Sequence, residues 1–137
     1  MYDAIELYHL STSDDYGHGL NKAWALKHFN IVANEIMSDE KVYMSFCGVH
    51  NYINILNNDL TYAYVLTNKQ LVVGHKCLIG YRVHSVNMKC LNDVKIRRGI
   101  LWSTVIIDTF KEKIKITTKH NTAQNIYQGL LNCILYG

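Results

Sequence analysis

Between residues 61 and 76 the chain reads TYAYVLT, then Asn68-Lys69, then QLVVGHK. Aromatic and β-branched residues dominate both runs, which favours strands. A parallel return between strands needs a dozen residues or more, so a two-residue break makes them antiparallel neighbours. Asn68 tolerates positive φ, which suits it to a tight hairpin.

The same texture extends in both directions. KVYMSF and HNYINIL precede the hairpin, with turn chemistry at Asn57–Asp59, and LIGYRVHSVNM after it supplies a further strand or two. In DVKIRRG, Val94 and Ile96 point one way and Lys95 and Arg97 the other, and Arg98 beside Gly99 marks a hairpin end. TVIIDTF is a strand and KEK a turn. KIKITTK is a strand with Ile114 and Ile116 inward and Lys113, Lys115, Thr117 and Lys119 outward.

Helical spacing brackets this β-rich region. Ala25, Phe29, Val32 and Ile36 recur on one helix face within Leu20–Met37. Leu26, Ala33 and Met37 broaden that face, and Trp24 and Ile31 extend beyond it. So wide an apolar surface asks for more cover than one sheet face gives, with a protein interface as the minority reading. Residues 1–19 show no sustained period, and STSDDYGHG within them reads as a loop. NTAQNIYQGLLNCILYG reads as one helix, capped by Asn121 or Thr122, with Ile126, Leu130 and Ile134 on one face.

The expected fold is therefore α+β: a strongly bent antiparallel β-barrel of about seven strands, capped by a C-terminal helix and preceded by an N-terminal one. Residues 1–40 form an acidic segment carrying the helix at about 20–37, and residues 41–137 form the barrel with its helix. A chain of 137 residues fits one domain, and 49% hydrophobic with 18% charged residues is globular composition. The expected location is cytoplasmic, because MYDAIELYHL lacks the basic flank and apolar run of a signal peptide. Cys47, Cys77, Cys90 and Cys133 lie far apart without a CxxC pair and read as reduced thiols.

Charge is unevenly spread. Through Glu40 there are seven acids and two lysines, net −5; from Lys41 onward there are twelve Lys/Arg and four acids, net +8. This suits a basic body meeting an anionic partner, or an acidic segment meeting the body itself, within one copy or between copies.

Three stretches together resemble the short bacterial pleckstrin-homology-like domains: YAYVLTNKQLVV, VNMKCLNDVKIRRGILWSTVIID and KIKITTKHNTAQNIYQGL. The turn Leu66-Thr67-Asn68-Lys69-Gln70-Leu71, the strand start Leu91 with Asp93-Val94, the Gly99 turn, and Ala123, Ile126 and Tyr127 of the last helix carry the likeness, over roughly residues 35–136. The resemblance implies a seven-stranded, sharply bent barrel capped by its C-terminal helix, and a tendency to ring-like homo-oligomers. Gln70 departs from the family pattern, where a second basic residue often stands, which weakens any anion-binding role for this turn.

No catalytic residue set emerges: a Gly-rich phosphate loop, a GxSxG and an HExxH are all absent, so no enzyme activity and no cofactor are expected. Cys47 and His50 with His75 and Cys77 are the best metal candidates. A spacing of three puts Cys47 and His50 on opposite faces of an extended strand, which argues against zinc, and no metal is expected. The strongest binding candidates are basic. In a meander of 93–98, 104–109 and 113–119, Lys95 and Arg97 share the outer face with Lys113, Lys115 and Lys119, positioned to neutralise phosphates or an acidic protein segment. Trp102 at the hairpin end adds an apolar anchor for a membrane interface or a base. The same array also reads as a solvated lysine face, and that ordinary reading carries the greater weight.

The expected function is a non-enzymatic protein-binding module that self-associates through Trp24 and Ile31. Its partner is a second copy or a host protein, since Asn/Ile/Lys/Tyr-rich composition suits a low-GC bacterium or one of its phages. The alternative is peripheral binding to anionic membrane lipid through the basic strand face. No nucleic-acid motif is present, so a nucleic-acid partner is not expected.

Overall fold

The computed structural model describes residues 2–51, 61–77 and 79–136. Two helices, α1 (Ala4–Ser13) and α2 (Lys22–Ala33), precede seven strands. These are β1 (Val42–His50), β2 (Thr61–Thr67), β3 (Gln70–Lys76), β4 (Tyr81–Asn87), β5 (Leu91–Arg98), β6 (Ser103–Thr109) and β7 (Lys113–Thr118); α3 (His120–Tyr136) closes the order. The strands form one antiparallel sheet in the order β4-β3-β2-β1-β7-β6-β5. This is the expected α+β, PH-like architecture. The described strand pairs do not close into a ring, because β4 and β5 each pair on one side only. The sheet nevertheless curls: His84 of β4 lies 3.4 Å from Glu112, in the β6–β7 turn on its other half.

Two cores lie on the two faces of this sheet. Met44, Phe46, Tyr64, Leu66, Leu71, Val73, Val105, Ile107, Ile114 and Ile116 pack with Ala123, Ile126 and Leu130 of α3. On the opposite face, Val42, Cys47, Ala63, Val65 and Val72 pack with Ala25, Phe29, Val32 and Ile36 of the α2 region and with Leu7 of α1. Strands β1 to β3 are thus buried on both sides, which is why they read as near-continuous apolar runs. In β5, buried Leu91 and Val94 and half-buried Ile96 stand among exposed polar residues, because only its inner face is covered.

The aperiodic segment 1–19 contains a helix, α1 over residues 4–13, and the loop expected from residue 11 is corrected to begin only after Ser13. Asp3 caps it by accepting from the Glu6 amide at 2.9 Å. Only Leu7 and Ser11 of this helix are buried, so its apolar stripe is too narrow to show a period. Its role answers the excess width of α2, whose apolar surface packs partly on the sheet and partly on α1. Ser45 on β1 donates to the Leu7 carbonyl at 2.5 Å, pinning α1 to the sheet.

The expected positive φ at Asn68 is also corrected: among non-glycine described residues only Asp15 and Asn51 adopt it. The β2–β3 turn is instead held by Thr67, whose Oγ1 accepts from the Lys69 and Gln70 amides, each at 3.0 Å. Asn68 clasps Lys41, accepting its amide through Oδ1 at 2.8 Å and donating its own to the Lys41 carbonyl at 2.9 Å. The run LIGYRVHSVNM contributes one strand, β4. The part of HNYINIL beyond Asn51, and the expected turn at Asn57–Asp59, lie outside the described residues.

Close approach fixes two glycines. A Cβ on Gly74 would sit 2.6 Å from Val32 Cγ1, so α2 can lie directly on β3. Gly19 has φ +70, and a Cβ there would overlap the Trp24 ring.

Candidate functional site

The expected meander exists, and its register sorts the basic residues into rows. Residues paired across antiparallel strands point to the same face. One row is Arg97–Thr104–Thr117, the next Lys95–Ile106–Lys115, the next Asp93–Asp108–Lys113. Arg97 therefore lies toward one end of the sheet, with Lys119 just past β7, while Lys95 and Lys115 occupy the middle row. Lys113 does not join them. It shares a row with Asp108 and Asp93 toward the other end.

At the basic end stands the β5–β6 hairpin. Gly99 donates its amide to the Trp102 carbonyl at 2.8 Å, closing a tip of three consecutive large apolar residues. Ile100 is 97% exposed, Leu101 73% and Trp102 50%. Arg97 and Arg98 at the end of β5 are exposed beneath it. Trp102 is a candidate from residue type alone, whereas Ile100, Leu101 and Arg98 join it only through the hairpin. Their signal was present: an Ile-Leu-Trp run sits where hairpin turns ordinarily carry polar residues.

The tip is braced from below. His120, the first residue of α3, bonds Ser103 Oγ through Nδ1 at 2.6 Å and the Ile100 carbonyl through Nε2 at 3.2 Å. A carbonyl only accepts, so Nε2 carries the proton, and in the neutral ring Nδ1 accepts from the Ser103 hydroxyl. Arg98 also bonds the Gln124 side chain of α3. The exposed apolar residues are thus presented by an anchored hairpin.

Trp102 and Lys119 also border a cleft of about 490 Å³ where the α1–α2 connection meets the sheet. Val49 and Thr117 line it together with His18 and Leu20 of that connection. Asp15 borders it too, but its carboxylate accepts from Thr122 and Asn125 of α3.

The remaining candidates lie elsewhere. Trp24 is half-buried, stacked on His28 with ring centroids 4.0 Å apart. Half-buried Ile31 borders a shallow hollow with Lys27, Lys76 and Tyr81. The acidic segment meets the body within this copy. Asp39 pairs with Lys69, which holds the Asp39 carboxyl below its usual range through hydrogen bonding and charge. Buried Glu40 accepts from Thr67 at 2.6 Å and from Gln70 at 2.8 Å. Gln70 thus serves this buried carboxylate, and Lys69 already has an anionic partner.

Cys47 is buried and its thiol is pushed far up by desolvation, which keeps it protonated and unreactive. Nδ1 of His50 bonds the Tyr64 hydroxyl at 2.8 Å, and Nδ1 of His75 bonds the Thr61 carbonyl at 2.9 Å. Among the described residues no three His, Cys, Asp or Glu side chains gather as a metal site. No described helix is long and apolar enough to cross a membrane.

A family model described as a bacterial PH domain matches residues 36–130. No curated protein and no solved structure matches the chain significantly.

Proposed function

The chain belongs to the bacterial PH domain family, and from that premise we propose that it is a non-catalytic module that docks on anionic membrane surfaces through its β5–β6 tip. One observation carries the reading: Ile100, Leu101 and Trp102 project together from an anchored hairpin above a collar of cations. Exposing three large apolar side chains in water is unfavourable, and their convex arrangement suits insertion at an interface. Tryptophan favours the headgroup level of a bilayer. Near an anionic leaflet each cation adds about 1 kcal/mol, and Arg97, Arg98 and Lys119 stand at this end of the sheet, with Lys95 one row further in. Binding then needs both terms, the apolar tip and the charge.

Cosedimentation with vesicles of phosphatidylglycerol and phosphatidylcholine tests this. The wild type is expected to bind these vesicles, to ignore phosphatidylcholine alone, and to dissociate as salt rises. The double variant Ile100→Asp, Leu101→Asp touches no packed core and is expected to stay folded and remain in the supernatant. Equal pelleting of variant and wild type would remove the tip from the mechanism.

A second reading, self-association through Trp24 and Ile31, draws support from the hollow beside Ile31, whose neighbour Tyr81 is 62% exposed. Light scattering decides between them. A concentration-dependent oligomer that Ile31→Asp dissociates would favour this reading; a wild-type monomer that still pellets with vesicles would favour lipid docking.

A further inference from the structure

A line of stacked rings runs from α2 into the sheet. Trp24 stacks on His28 at 4.0 Å, His28 meets His75 at 5.0 Å, His75 stacks on Tyr62 at 4.8 Å, and Tyr62 on His50 at 4.4 Å. His28 is the unusual member. It is 4% exposed, and its Nε2 is a buried side-chain atom with no hydrogen-bond partner among the described residues.

The tautomer follows from geometry. His28 Nδ1 lies 2.9 Å from the Trp24 carbonyl, which only accepts, so Nδ1 holds the proton. Nε2 is therefore a bare lone pair, enclosed without a donor. A second proton would have to go there, creating a buried cation without an acceptor.

The surrounding groups make that cation still less welcome. Those acting on His28 are Lys27 on its own helix and His75 and Lys76 of β3, all basic. Burial holds the His28 imidazole below its ordinary range, opposed in part by the hydrogen bond to the Trp24 carbonyl, and His75, Lys76 and Lys27 add smaller contributions in the same direction as burial.

We propose that His28 makes the α1–α2 hairpin an acid-sensitive flap, docked on β1–β3 while the ring is neutral and released when it is protonated. Release uncovers Phe29 and Val32 on the helix and Cys47, Val65 and Val72 on the sheet, an apolar face hidden at neutral pH. The second core, under α3, contains none of these residues and packs the other face of the sheet, β5–β7 included.

The sign follows from linkage. In the unfolded or undocked state His28 takes its proton near the ordinary value of about 6.5. In the docked state it takes it lower. Docking is therefore fully favoured above about 6.5 and weakens as pH falls below it, until the docked ring itself protonates. Each unit of depression makes docking tenfold less favourable across this window.

The test uses the full chain. Hydrogen exchange, corrected for the intrinsic pH dependence, is followed at α2 and at β5–β7 between about pH 7.5 and about pH 5, roughly one unit above and one and a half units below the ordinary histidine value. Protection of α2 is expected to fall by about tenfold or more while β5–β7 stay protected. His28→Phe keeps an aromatic ring against Trp24 and removes the titrating group, so its α2 protection is expected to be independent of pH. An unchanged pH response in that variant, or loss of protection across the whole domain at once, overturns the proposal. Should His28→Phe fail to fold, NMR titration of the wild-type His28 ring decides alone: a midpoint below the ordinary range supports the proposal, and one at or above it overturns it.

Discussion

Phe29→Ala is expected to destabilise the protein by about 3–5 kcal/mol, read as a lower urea midpoint by circular dichroism. Phe29 is fully buried in the cluster between α2 and the sheet, with Ala25, Val32, Val65 and Val72 around it. Its neighbours cannot simply collapse into the space. The Val32 side chain already lies against Gly74, and α1 sits against α2 on the other side. The lost transfer energy therefore comes with a cavity. A shift below about 1 kcal/mol would mean that α2 is only loosely applied to the sheet.

Glu40→Ala is expected to cost about 2–3 kcal/mol, because it strands donors rather than removing a contact alone. The carboxylate is 7% exposed and accepts from the Thr67 hydroxyl at 2.6 Å, the Gln70 amide at 2.8 Å and the Met37 backbone amide at 3.2 Å. These donors come from the β2–β3 turn and from the end of the helical segment, so one side chain joins both to the start of β1. Glu40→Gln keeps an acceptor oxygen and is expected to recover part of the loss. Thermal unfolding of the two variants checks the order; equal stability of Glu40→Ala and wild type would show that the network is solvated in solution.

Sequence alone carried the features that depend on local patterning. The two-residue connection at Asn68-Lys69 required antiparallel strands, and the spacing of Ala25, Phe29, Val32 and Ile36 gave the α2 face that is buried. The alternation Val94-Lys95-Ile96-Arg97 survived into β5 because only one face of that strand is covered. What escaped depended on distant partners. Helix α1 buries two residues of its own and owes its place to α2 and to a hydrogen bond from Ser45, thirty-eight positions away. Asn68 looked like a residue chosen for positive φ, yet its work is a pair of hydrogen bonds with Lys41.

The basic strand face was legible to the same degree and for the same reason. Lys95, Arg97 and Lys115 do share a face, as alternation requires. Lys113 also faces outward, but only the register reveals that Asp93 and Asp108 are its neighbours. Trp102 stood out by residue type. Ile100 and Leu101 gained meaning only once the hairpin placed all three side chains at a tip with no core to enter.

The most direct test of lipid docking is the depth of Trp102. In a Trp24→Phe background Trp102 is the one remaining tryptophan, since the chain contains two. Its fluorescence is measured on phosphatidylglycerol vesicles carrying lipids brominated along the acyl chain. Lipid docking predicts a blue-shifted emission that brominated acyl chains quench and that high salt restores to its value in water. Emission unchanged by vesicles, under conditions where the protein stays folded, would contradict the account.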